Sequence, residues 1–152
     1  MHPPRRATRI VTLAFGIPFL TVIAFLALTP RRIEERIPNV LDVVLGAAHR
    51  VGWHSLDFTA LEVIANILVF IPIGMIAYVF TPHRRWTLAY FIGPALSVSI
   101  ELTQLLALPN RVPSLADVAE NVLGATIGVS VCAIMSTLVG SPASARSIPE
   151  TA

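Results

Sequence analysis

Four apolar blocks take up most of this chain: Ile10 to Leu28, Leu61 to Phe80, Trp86 to Leu108 and Leu115 to Val139, of 19, 20, 23 and 25 residues. A helix rises about 1.5 Å per residue, so about 20 residues cross a hydrocarbon core of about 30 Å. Each block is long enough to span. Lipid offers no hydrogen bonds to backbone groups, so blocks of this length are expected to be helices. Composition agrees: of the 152 residues 55% are hydrophobic and 13% charged, and mean hydropathy is +0.74, against about 25% charged residues in a soluble domain. The chain reads as an all-α polytopic membrane protein with spans at about 10–28, 61–80, 86–108 and 115–139, a short N-terminal tail over 1–9 and a flexible tail over 140–152.

Arg5, Arg6 and Arg9 precede the first block as they would in an export signal. Retention is nevertheless expected, because a secretory apolar core is about 7–15 residues long and Ala24-Phe-Leu-Ala-Leu-Thr-Pro30 lacks a small-x-small cleavage site. All eleven basic residues are Arg. They flank the apolar blocks instead of forming one patch, which suits membrane anchoring and argues against nucleic acid as a partner. Three Arg in the N-terminal tail and two in the turn Thr81-Pro-His-Arg-Arg85 put both termini in the cytoplasm by the positive-inside rule. Arg31, Arg32, Arg36 and Arg50 in the first long connection pull the other way. Cys132 is the only cysteine, so neither an intramolecular disulfide nor a cysteine-cluster metal site is possible.

That first connection holds Val40 to Trp53, in which Asp42, Gly46, His49, Arg50 and Trp53 share one side at helical spacing. It is expected to form an interfacial helix in the outer loop. His49 and His54 have no further ligand at a recognised metal spacing and read as solvated.

Polar stripes run along three of the spans. Glu62 and Asn66 are four apart; Ser97, Glu101 and Gln104 share a face; Asp117, Asn121, Gly124 and Gly128 follow helical spacing, with Glu120 about 60° to one side. With cytoplasmic termini every stripe falls in the outer half, and Glu101 lies about 10 Å from its helix end. A polar contact between membrane helices averages about 0.6 kcal/mol, while a carboxylate at mid-span costs about 2.5–3.5 kcal/mol, so glue alone does not account for Glu101 and Asp117. The expectation is a polar cleft opening outward, lined by Glu62, Asn66, Glu101, Gln104, Asp117, Glu120 and Asn121, with Arg111 in the turn above. Gly124-x-x-x-Gly128 lets a second backbone approach closely. Pro72, in Phe70-Ile-Pro72-Ile-Gly74, is expected to kink its helix.

Three ordered motifs carry a resemblance: Asn66-Ile-Leu-Val-Phe-Ile-Pro72-Ile-Gly74, Ser97-Val-Ser-Ile-Glu101-Leu-Thr-Gln104, and Arg111-Val-Pro-Ser-Leu-Ala-Asp117-Val-Ala-Glu120-Asn121-Val-Leu-Gly124. In these the chain resembles the VanZ-like family of small bacterial membrane proteins, named for a protein associated with teicoplanin resistance. The resemblance implies a multi-span protein of the bacterial cytoplasmic membrane, with Asn66, Pro72, Glu101, Gln104, Arg111, Asp117, Asn121 and Gly124 at its signature positions. It implies no settled mechanism. The chain departs from the commoner pattern in having Ser114 and Ala116 where other members often carry Asp, and Glu120 where an apolar residue is usual.

The favoured expectation is a non-catalytic envelope protein that contributes to glycopeptide tolerance, its cleft taking a polar or cationic ligand such as a lipid headgroup, a lipid-linked cell-wall precursor or a lipoglycopeptide. An enzyme on a lipid-linked phosphate substrate is the alternative, with a carboxylate as acid or base and Arg111 on the phosphate. The chain has no G-x-S-x-G, no Cys/His pair and no His-rich metal motif, so no catalytic residue, cofactor or metal is assigned. A small transporter or ion pathway, formed by an oligomer, is the third reading.

Overall fold

The computed structural model describes residues 6–29, 38–108 and 114–140. Its helices are α1 (Arg6–Ala27), α2 (Pro38–Arg50), α3 (Phe58–Phe80), α4 (Ala89–Ala107) and α5 (Leu115–Gly140), with a 3-10 turn, His83–Leu88, leading into α4. Among the described residues every regular element is helical. Four stretches are long and apolar enough to cross a membrane: Arg6–Ala27, Phe58–Phe80, His83–Ala107 and Leu115–Leu138. The chain is an all-α, multi-pass membrane protein. α1 begins four residues ahead of its apolar block, because helical hydrogen bonding need not stop where the hydrocarbon does.

α2 forms within the first long connection, and its link to α3 is tightly built. Gly52 takes the left-handed conformation, φ 94°, which lets the amide of Trp53 reach back to the Ala48 carbonyl at 3.0 Å and closes the helix end. His49 Nε2 lies 2.8 Å from the Leu56 carbonyl oxygen, so this ring braces the turn and packs against His54 at 5.9 Å between centroids. Asp57 then starts α3, its Oδ1 accepting from the Ala60 amide at 2.8 Å.

The most extensive contact joins α3 and α5, and α4 packs on both. Glycine makes it possible. A Cβ added at Gly74 would stand 2.0 Å from the Ala125 carbonyl oxygen, one at Gly124 2.2 Å from that of Ile67, and one at Gly128 2.0 Å from that of Ile71. Two backbones therefore touch, and the expected G-x-x-x-G approach has α3 as its partner. Phe70, Ile73 and Ala125 form one buried cluster beside it, and Ala77, Tyr78, Ala89, Val129 and Ala133 form a second. α3 continues through Pro72, which the structure keeps inside the helix.

α1 is more loosely held. It packs on α3, Gly16 is its buried residue among those described, and Phe19 and Leu20 reach the Phe70 cluster. Thr8 and Thr12 of α1 share a groove with Met75 and Val79 of α3, so the two helices run antiparallel. The start of α1, the 3-10 turn and the start of α4 thus lie at one end of the bundle. Tyr78, Trp86 and Tyr90 meet there at steep angles, with ring centroids 6.3 and 6.0 Å apart, and such residues are enriched at membrane interfaces.

Candidate functional site

At the other end the polar stripes meet. Seven of the eight residues picked from the sequence lie in described helices; Arg111 lies outside the described residues. Helical spacing puts Asn66 one turn below Glu62 on α3, and the Asn66 amide nitrogen donates to Glu120 Oε2 on α5 at 2.8 Å. Glu62 is exposed near the start of α3. On α4, Ser97 and Glu101 are one turn apart and both face α5. Asn121 Nδ2 donates to Ser97 Oγ at 3.0 Å, and Glu101 Oε2 accepts from the Ser114 amide at 2.9 Å. The carboxylate is therefore tied to the backbone that leads into α5. Gln104 turns elsewhere: its side-chain amide donates to the Ala27 carbonyl at the end of α1, at 2.9 Å. That bond satisfies one of the carbonyls a helix leaves open at its last turn.

Ser114 does two jobs that sequence reasoning did not assign to it. Its backbone amide holds Glu101, and its hydroxyl oxygen accepts from the Asp117 amide at 3.3 Å, which is how an N-cap residue meets an otherwise open donor. Asp117, in the first turn of α5, also suits the positive end of the helix dipole. Ser114 therefore caps α5 without placing a charge beside Glu101. The signal was present in Ser114-Leu-Ala-Asp117, a capping residue just before an apolar run.

Asn121 and Ser97 are the innermost pair. Ser97 has no exposed surface and Asn121 retains 6%. With the amide placed this way round its nitrogen is used and its oxygen is not: Oδ1 is buried without a hydrogen-bond partner. A buried acceptor left open costs about 1–3 kcal/mol. The surroundings are rich in acceptors: Asp117 lies one turn away on the same face, Glu120 is adjacent in sequence, and Glu101 lies one turn from Ser97. What this arrangement attracts is a donor or a cation. Among the described residues no three His, Cys, Asp or Glu side chains come close enough together to hold a metal ion.

Two further hydroxyl pairs lie toward the opposite end, and sequence analysis passed over both. Tyr78 OH is 2.8 Å from Ser136 Oγ and Tyr90 OH is 3.0 Å from Ser130 Oγ. The available signal was that a tyrosine buried at a helix end needs a partner for its hydroxyl. These bonds join α3 and α4 to α5 far from the carboxylates, so they are framework.

The model of the family described as VanZ/LLP1 matches residues 4–136, a stretch that runs from ahead of α1 to the last turns of α5. The chain belongs to the VanZ/LLP1 family. No curated protein and no solved structure matches it. The match takes in three spans whole and the fourth to within two residues of its end, so the polar end and the glycine contact both lie within the family region of the chain.

Proposed function

We propose that this VanZ/LLP1 protein acts in the bacterial cell envelope by binding a polar or cationic group at the carboxylate-rich end of its bundle, and that this contributes to tolerance of glycopeptides such as teicoplanin. The ligand class is a donor-bearing group presented at the membrane surface: a lipid headgroup, a lipid-linked cell-wall precursor or the lipoglycopeptide itself. Asn121 Oδ1 carries the reading. In this orientation of the amide the open oxygen calls for a donor, which a ligand or a buried water supplies, and the acidic residues around it favour a ligand that brings positive charge. Asp117, one turn away on the same face, supplies charge that makes a cationic donor the better match.

The site faces outward in a cytoplasmic membrane on this reading. Support comes from Arg6, Arg9, Arg84 and Arg85 gathered at the opposite end, where the positive-inside rule expects the cytoplasm. The test is teicoplanin and vancomycin susceptibility of a host expressing the wild-type chain, Glu101→Gln or Asn121→Leu at matched membrane levels. A teicoplanin shift with the wild type that both variants lose is the expected result. A shift that survives both substitutions would refute the assignment of this end.

A further inference from the structure

A second feature lies at the arginine end, on the side of the bundle away from α4. α1 and α3 part there and leave a groove of about 580 Å³, walled by Phe15 and Phe19 of α1 and Met75 and Ile76 of α3, with Cys132 of α5 also lining it and Thr8 and Thr12 at its mouth. It opens sideways, toward where lipid would lie: Phe15 is 75% exposed and Met75 39%. From Thr8 to Phe19 the groove follows α1 for about 16 Å, at about 1.5 Å per residue. One leaflet of a hydrocarbon core is about 15 Å deep. The groove is therefore as long as a single leaflet and begins at the membrane surface.

Arginine flanks its mouth. The residues that line the groove carry no charge, but Arg9 follows Thr8 and stands three residues before Thr12, at the edge of the groove face of α1, and it is exposed. Arg6, Arg84 and Arg85 are exposed at the same end. Among the described residues every Asp and Glu lies in α2, just before α3, or at the ends of α3, α4 and α5 that meet the end of α1. No described carboxylate is therefore placed to neutralise Arg9.

We propose that this groove is a binding site for one anionic phospholipid, with an acyl chain between α1 and α3 and the phosphate at Arg9. Charge decides between this occupant and a second copy of the chain. A copy docked in parallel would set its own arginine end against this one, whereas an anionic headgroup meets Arg9 with opposite charge and leaves the acyl chain to cover Phe15 and Met75. The site is independent of the polar end and of the function proposed for it.

The test is native mass spectrometry of the full chain released from micelles loaded with equal amounts of phosphatidylglycerol and phosphatidylcholine. The wild type is expected to retain one phosphatidylglycerol with about fivefold preference, the contribution of one arginine beside an anionic headgroup. Arg9→Gln is expected to bring the two lipids to equal retention, and because Arg9 is exposed that variant keeps its fold. Met75→Trp, which fills the groove, is expected to lose both lipids while helix content by circular dichroism stays at the wild-type value. Equal retention by the wild type, a preference that survives Arg9→Gln, or a dimer that excludes lipid from the groove would each overturn the proposal.

Discussion

Gly124→Ala tests the fold and the polar end together, because this glycine lies one turn from Glu120 on the side that touches α3. The new Cβ would sit 2.2 Å from the Ile67 carbonyl oxygen and 3.0 Å from both the Ile67 carbonyl carbon and Phe70 Cβ. Two of these three atoms are backbone and cannot rotate away. Ordinary contact begins at 3.4 Å, so α3 and α5 must part by about 1.2 Å. A gap of 0.5–1 Å already forfeits about a quarter to a half of a dispersion contact, and overpacking of this kind costs about 1–3 kcal/mol. The same parting would stretch the Asn66 to Glu120 bond from 2.8 Å to about 4 Å, past any useful hydrogen bond, and remove about 0.6 kcal/mol more. Cys132, half-buried on α5, is a built-in reporter: a thiol-reactive fluorophore follows its exposure as the protein in detergent is denatured. Gly124→Ala is expected to lower the unfolding free energy by about 1.5–3.5 kcal/mol. Gly46→Ala in α2 is the control, since its Cβ meets nothing within 4 Å, and it should be neutral or stabilising by up to about 1 kcal/mol. Equal unfolding curves for Gly124→Ala and the wild type would refute the close backbone contact, as would equal damage from both substitutions.

Ser114→Ala removes the hydroxyl that caps α5 and is expected to cost about 0.5–2 kcal/mol in the same unfolding assay, whereas Ser114→Asn, an equally good cap that adds no charge beside Glu101, should retain wild-type stability; a stable Ser114→Ala protein would count against the cap. Asn121→Leu removes both the bond to Ser97 and the open acceptor, so its stability should stay within about 1 kcal/mol of wild type while any glycopeptide phenotype disappears. Loss of the phenotype only in proportion to loss of protein would assign Asn121 to the framework. In a Cys132→Ser background, an impermeant maleimide applied to whole cells should label His54→Cys and leave His83→Cys unlabelled; the reverse pattern would turn the protein over in the membrane.

Much of this architecture was legible because hydrophobic length is a strong signal in a chain that must satisfy its backbone inside lipid. The four apolar blocks, the helix inside the first connection and the close approach at Gly124 and Gly128 all followed from composition and spacing. Periodicity assigns residues to a face but does not name what that face meets. Nothing in the spacing of Ser97 and Glu101 told that one would hold Asn121 and the other the Ser114 amide, or that Gln104, on the same stripe, would cross to Ala27 of α1. Gly74 stood in a recognisable motif, yet its pairing with Ala125 across about 50 residues depends on how the helices cross, which is a property of the assembled bundle. The arginine-flanked groove was invisible for the same reason: it is a space between α1 and α3 that no single segment contains.

The α3 to α5 contact also sets a timetable for synthesis. α3 ends at Phe80 and α5 ends at Gly140, so at about 5–20 residues per second the ribosome needs about 3–12 s to deliver the second partner after the first. During that interval Gly74 lacks the Ala125 backbone and Asn66 lacks Glu120. When α5 arrives, Glu120 and Asn121 enter a membrane that already holds their partners Asn66 and Ser97, whereas Glu101 of α4 has had to wait for the Ser114 amide that leads into α5.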